Sequence, residues 1–115
     1  LNYAEAAVRG HADATKALQY LNLLRTRAYG NASGNYSALP DLKELLAERG
    51  REFYWEAQRR TDLIRFGLFT GSSYLWPWKG GVASGKSIDD YRKLYPIPAD
   101  DLQANPENLK QNPNY

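Results

Sequence analysis

Apolar side chains recur at helical spacing between two capping residues early in the chain, in the stretch HADATKALQYLNLLRTRAYG. The apolar positions are Ala14, Ala17, Leu18, Leu21, Leu24 and Ala28. Asp13 stands where an N-cap is expected and Gly30 where a left-handed C-cap is expected, so the pattern predicts an amphipathic helix between them. Leu1, Ala4 and Val8 share one face of a preceding helix. Together the two helices predict a hairpin of the tetratricopeptide type, which needs neighbours to bury its apolar face.

The rest of the chain divides by composition into a helical part and a loop-rich tail. A further helix is predicted to start near Pro40 or Asp41, with an apolar stripe on one side. That stripe consists of Leu42, Leu45, Leu46 and Phe53. From Thr70 onward the chain holds five of its six prolines, so regular structure is expected to be sparse, with one short helical turn in PADDLQAN. The sequence predicts an all-α fold in which residues 1–67 are helical and residues 68–115 form an irregular tail of one region, residues 1–115.

Several classes of protein are disfavoured by what the 115 residues lack. The absence of cysteine excludes disulfides, thiolate metal sites and a cysteine nucleophile. No apolar run approaches the length that spans a bilayer, and a formal charge of +2 is too weak a bias to predict nucleic-acid binding. The chain begins without methionine and with a helix already under way, which suggests a fragment of a longer protein.

The segment ERGREFYWEAQRRTDLIRFG, residues 48–67, mixes charges with aromatic side chains. If the helix continues through it, the acids and one arginine stack along a single stripe that further arginines flank. Arginine can pair with carboxylates in two parallel hydrogen bonds, and the aromatic rings would shield such pairs from water. We therefore predict a structural charge network. Its predicted members are Glu48, Arg49, Glu52, Glu56, Arg59, Asp62 and Arg65.

The residues favour this structural interpretation over chemical alternatives, and no catalytic residue, metal ligand or cofactor is predicted. Glu52 and Glu56 would point the same way from one helix, whereas glycoside hydrolysis needs two carboxyl groups that face each other across the substrate. The single histidine, His11, lies in a predicted turn rather than in a helical metal motif. A phosphate-loop pattern occurs in the tail, but the strand and the helix that such a loop requires are not predicted around it. Its residues are Gly80, Gly85, Lys86 and Ser87.

The stretch YLWPWKGG gathers the candidate contact residues Tyr74, Trp76 and Trp78 beside a proline and two glycines. Exposed aromatic faces on a loop suit a sugar ring or a protein partner, because they offer a large apolar area at small entropic cost. Alternatively, these rings anchor a long loop onto the helical body. The sequence leaves both interpretations open.

Two separated motifs resemble the SusD/RagB family. The segment at residues 48–67 matches the pattern E-R-x-x-E-F-x-x-E-x-x-R-x-x-D-L-x-R-x-G without a gap. The terminal YPIP and NPENLKQNPNY, residues 95–98 and 105–115, are similar to the family's P-I-P and N-P-N-L-x-Q-N-P-G-Y. Glu107 is an apparent insertion, and Asn114 replaces the usual glycine with a residue that tolerates the left-handed conformation.

The resemblance implies the C-terminal part of a SusD-like fold and a role without catalysis. Family members are surface-exposed outer-membrane lipoproteins of Bacteroidetes-type bacteria, which capture nutrients, usually glycans, for a SusC-like TonB-dependent transporter. The implied partners are that transporter and an oligosaccharide or other nutrient, with membrane contact only through a lipid anchor outside this chain. The hairpin pattern alone also allows a generic helical-repeat module that binds other proteins.

Overall fold

The second helix begins and ends where its capping residues predict. In the computed structural model, which describes residues 1–115, α1 spans Asn2–Val8 and α2 spans Ala14–Tyr29. The Asp13 carboxylate accepts a hydrogen bond from the Lys16 amide at 2.6 Å. Gly30 ends α2 with φ 71°, a left-handed conformation that glycine adopts without strain. Both predicted caps of α2 are confirmed.

Small and leucine side chains from three helices form the core of the helical part. After a 3₁₀ turn at Ala32–Gly34, α3 spans Leu42–Glu52, close to its predicted start near Pro40 or Asp41, and the Asp41 side chain caps it. The buried core cluster consists of Ala4, Ala17, Leu21 and Leu45. Each buried leucine contributes about 1.5–3 kcal/mol relative to an exposed one, so this cluster is a main source of stability.

The helix does not continue through the charged and aromatic segment. It ends at Glu52, and α4 begins only at Arg59 and spans Arg59–Arg65. Between them lies a turn in which Trp55 and Ala57 have φ of 66° and 57°. Consecutive aromatic residues are weak helix formers, because their side chains lose freedom against the preceding turn. A single continuous stripe of charges over residues 48–62 is therefore not formed.

Arg59 lies against the one glycine within α3. Its Nη1 donates a hydrogen bond to the Leu46 carbonyl at 2.8 Å. A Cβ added at Gly50 would lie only 3.0 Å from that nitrogen. The missing side chain of this glycine therefore leaves room for the Arg59 guanidinium to pack against α3.

The chain divides into two compact units, residues 1–59 and residues 60–115. After α4, the second unit contains 3₁₀ turns at Lys79–Gly81 and Asp90–Lys93, the short helix α5 at Ala99–Ala104, and one antiparallel bridge between Gly71 and Ile88. The prediction of sparse regular structure after Thr70 is confirmed. No helix in the chain is both long enough and apolar enough to span a membrane.

The two terminal motifs of the sequence bind each other. The side-chain amide of Gln111 makes two hydrogen bonds to the backbone of Ile97. Its Oε1 accepts from the Ile97 backbone N–H at 2.8 Å, and its Nε2 donates to the Ile97 carbonyl at 3.0 Å. Asn112 donates from Nδ2 to the Tyr95 carbonyl at 2.7 Å. Asn114 adopts φ 68°, so the asparagine takes the left-handed conformation expected of it. Side-chain amides thus replace the ladder hydrogen bonds that a strand pair would supply.

Candidate functional site

The three candidate contact residues lie on a loop closed by the Gly71–Ile88 bridge, here named the aromatic loop, residues 71–88. Tyr74 and Trp76 are half-buried, with ring centroids 5.7 Å apart. Trp78 is 69% exposed and adopts a left-handed φ of 68°. Two of the rings therefore pack within the loop, and the third presents its indole to solvent.

A buried lysine lies at the centre of the aromatic loop. Lys79 is only 1% exposed, and its Nζ donates to the carbonyls of Tyr74 at 2.6 Å and Gly71 at 3.1 Å. The same ammonium lies 4.7 Å from the centroid of the Trp76 ring, within range of a cation–π contact. Three acceptors thus surround the three N–H groups of the ammonium. Burial lowers the pKa of Lys79, because desolvation disfavours the charged form.

Backbone contacts hold the two sides of the aromatic loop together. The Lys86 amide donates to the Lys79 carbonyl at 3.0 Å. Gly85 has φ 76°, and a Cβ at that position would lie 2.6 Å from the Trp76 carbonyl oxygen. Only glycine allows this close approach of backbone to backbone. The loop is therefore held in shape although it has almost no regular structure.

The carboxylate of Glu48 is the most deeply buried acid on α3 and binds two arginines. Arg25 of α2 donates from Nη1 at 2.7 Å, and Arg51 donates from Nη2 at 2.5 Å. The side chains of Glu48 and Arg25 are only 9% and 11% exposed. Arg25 also lies over the Tyr36 ring, 4.1 Å from its centroid. A loop and two helices thus meet at one charged centre.

Other residues of the predicted network bind further side chains, some of them distant in sequence. Arg49 donates to the Asn2 side chain at 2.8 Å, and Glu52 pairs with Arg27. In the second unit, Arg65 donates to the almost fully buried Asp62 at 2.9 Å. Glu56 lies exposed in the turn after α3 and makes no ion pair.

The hydroxyl of Tyr36 donates a hydrogen bond to Glu44 at 2.7 Å and lies 3.4 Å from Glu48. Burial, followed by the Glu44 hydrogen bond and the Glu48 charge, raises the pKa of Tyr36 to about 12. Between the ordinary pKa of 10.0 and this value, the unfolded chain has lost a proton that the folded chain keeps. Stability therefore falls as the pH rises through this range.

We expect Tyr36→Phe to remove part of this alkaline loss of stability. The variant loses the Glu44 hydrogen bond at neutral pH, about 0.5–1.5 kcal/mol. Its unfolding midpoint in urea should nevertheless fall less than that of the wild type between pH 10.0 and about pH 12, the range set by the two pKa values of Tyr36. Tyr29→Phe is the control, since it removes another hydroxyl from the same unit. Parallel pH dependences of the wild type and Tyr36→Phe would contradict the prediction.

Sequence comparison places the chain among known proteins. The sequence model of the SusD family matches residues 1–115, the whole chain. The chain belongs to the SusD family. It is 44% identical, over 115 residues, to the starch-binding protein SusD of Bacteroides thetaiotaomicron. Its structure resembles that of surface glycan-binding protein A from Bacteroides thetaiotaomicron, with a TM-score of 0.73 and 36% identity over 97% of this chain. The resemblance inferred from the two motifs, and the all-α SusD-like fold, are confirmed.

The chain spans about a fifth of each of these relatives, 20% of starch-binding SusD and 22% of surface glycan-binding protein A. Within this SusD-family chain, residues 48–67 carry the segment that resembles the family's pattern, called the signature below. The signature does not run along one helix. It is interrupted by the turn between α3 and α4.

Two features of the SusD-family chain were not anticipated from the sequence. The first is the partner of Glu48, because Arg25 lies on α2 rather than in the signature. Arg25 follows the buried Leu21 by one helical turn, so the sequence did place it on the buried face. The second is Trp55, which is 88% exposed at the edge of a groove of about 580 Å³. Tyr54 lies beside it with ring centroids 6.1 Å apart.

These residues offer ion-pairing groups and apolar contact surface. No group of three or more histidine, cysteine, aspartate or glutamate side chains is arranged to hold a metal ion. Glu48 and Glu52 are each paired with an arginine. The exposed indole of Trp78 provides apolar contact surface on the aromatic loop.

Proposed function

We propose that this SusD-family chain belongs to a non-catalytic protein that binds oligosaccharides at the outer membrane for a SusC-like TonB-dependent transporter. Two relatives support the binding role, since one is named a starch-binding protein and the other a surface glycan-binding protein. Both are several times longer than this chain, so the activity of the whole protein is transferred here as a proposal. A lipid anchor would hold the protein at the cell surface.

The observation that carries the proposal is the exposed indole of Trp78 on a loop that is held in shape. A planar aromatic face can stack on the apolar face of a sugar ring. Since Lys79 and the Lys86 amide already fix the loop, stacking would not require a flexible segment to become ordered. Tyr74 and Trp76 would support the loop from within rather than present their full ring faces to the ligand.

We expect Trp78→Ala to weaken the affinity of the intact protein for a linear α-glucan oligosaccharide about tenfold. An aromatic contact contributes about 0.5–1.5 kcal/mol beyond the area that it buries, and 1.4 kcal/mol corresponds to a factor of ten. Isothermal titration calorimetry measures the affinity directly. Trp55→Ala is the matched control, because Trp55 is also an exposed tryptophan with a left-handed φ but lies outside the aromatic loop.

The result of the titration separates two roles for Trp78. If Trp78→Ala binds the oligosaccharide as tightly as the wild type, the indole does not contact glycan. Loss of co-purification with the transporter in the same variant would then assign Trp78 to the protein interface instead. If the wild-type protein binds no oligosaccharide of any composition, the proposed glycan-binding function is wrong.

A further inference from the structure

The second unit contains a pocket of about 410 Å³ whose lining residues combine opposite charges with an aromatic ring. Its volume lies within the range of sites for small ligands. Three residues of the phosphate-loop pattern lie in its wall, although the four-residue 3₁₀ turn that follows is not the helix such a loop requires. The residues that line it include Phe69, Gly80, Lys86, Ser87, Asp89 and Arg92.

Two cations of the pocket have no acidic partner within the chain. Lys86 makes no ion pair, and Arg92 stacks on the Tyr91 ring at 5.0 Å without binding a carboxylate. The neighbouring Asp90 is occupied, since it accepts hydrogen bonds from Lys93 at 2.5 Å and Thr70 at 2.8 Å. Asp89 also lines the pocket and is unpaired. Two positive groups and one negative group therefore face one cavity and are available to a ligand.

Backbone contacts hold Lys86 in position in the pocket wall. Gly80 has φ 65°, and a Cβ there would lie 2.7 Å from Cγ of Lys86. The glycine thus leaves room for the aliphatic part of the lysine. On either side, the Lys86 amide binds the Lys79 carbonyl at 3.0 Å and the Gly71 amide binds the Ile88 carbonyl at 2.8 Å. A ligand would meet a lysine whose backbone is already ordered, which reduces the entropic cost of binding.

We propose that this pocket binds the anionic group of an acidic oligosaccharide. A carboxylate or sulfate on a sugar ring would pair with Lys86 and Arg92 through charge-assisted hydrogen bonds. Asp89 and Ser87 would bind neighbouring ring hydroxyls, and Phe69 would contact the apolar face of the ring. The inference rests on the proposed glycan-binding function and adds to it a preference for acidic ligands, since a neutral glucan offers no partner for the two cations.

The test compares the affinities of the intact protein for a uronic-acid oligosaccharide, a sulfated oligosaccharide and a neutral oligosaccharide of the same length. We expect at least one acidic ligand to bind about tenfold more tightly than the neutral one. Lys86→Gln and Arg92→Gln should each remove most of that preference. Comparison of the uronic-acid oligosaccharide with the sulfated one identifies whether a carboxylate or a sulfate is recognised. Lys110→Gln is the matched control, because it removes one exposed lysine outside the pocket of the same unit.

Gly80→Ala provides a second test that leaves every charge in place. The added methyl group should displace Lys86 and reduce the preference for the acidic ligand. The left-handed φ of Gly80 makes alanine strained there, so the thermal midpoint should fall, and a retained cooperative transition shows that the variant still folds. Equal affinities for acidic and neutral ligands, with Lys86→Gln identical to the wild type, would overturn the acidic-ligand inference and leave the glycan-binding function standing. Absence of binding to all three ligands would overturn both.

Discussion

Replacing Glu48 by alanine is expected to reduce the free energy of unfolding by about 3 to 5 kcal/mol. The substitution leaves the guanidinium of Arg25 with no carboxylate at a site where its side chain is only 11% exposed. A buried charge that loses its partner must either stay desolvated or disrupt the surrounding helices. Urea unfolding of the intact protein, followed by circular dichroism, gives the change in midpoint.

Glu56→Ala is the control within the same signature segment. Its carboxylate lies exposed in the turn after α3, so its removal should change the free energy of unfolding by no more than about 0.5 kcal/mol. Equal effects of Glu48→Ala and Glu56→Ala would contradict the assignment of Glu48 as the charged centre between α2 and α3.

Lys79→Met should open the aromatic loop, because methionine has a similar length but cannot donate to the carbonyls of Tyr74 and Gly71. Each buried carbonyl that loses its donor costs about 1 to 3 kcal/mol, and relief from burying the ammonium offsets part of that cost. We expect the Lys86 and Gly85 amides to lose protection from hydrogen exchange. If the proposed function holds, glycan affinity should fall at least as much as in Trp78→Ala.

Lys110→Met is the matched control for this prediction, since it makes the same substitution at an exposed lysine. Unchanged amide protection in Lys79→Met would mean that the backbone of the aromatic loop holds without the ammonium. Loss of protection without any change in glycan affinity would show that the loop is ordered by Lys79 but does not bind the ligand.

Local patterns in the sequence predicted the helical hairpin and the family correctly. The caps at Asp13, Gly30 and Asp41 act through contacts within four residues, so they depend little on how distant parts of the chain pack. The spacing of residues in the signature at residues 48–67 indicated the SusD family correctly, because residue order can be compared without knowing the backbone conformation.

The same spacing could not predict the shape of that segment. Helical geometry would place Glu48 and Glu56 on one stripe, but the turn at Trp55 and Ala57 separates them. Glu48 instead binds Arg25, 23 residues away in sequence, which no local periodicity reports. How deeply each charged side chain is buried depends on which helices pack against it.

The sequence by itself determined where helices start, where proline makes the chain irregular and which family the chain belongs to, because these follow from nearest neighbours and from residue order. Only the tertiary structure decided that Lys79 is buried while Trp78 is exposed, although the two are adjacent. It also brought Lys86 and Arg92 to one pocket. The positions of these side chains depend on backbone contacts across the loop at Gly71, Gly85 and Ile88. Such contacts form between residues that are close in the folded structure but separated in the sequence, so local sequence patterns do not report them.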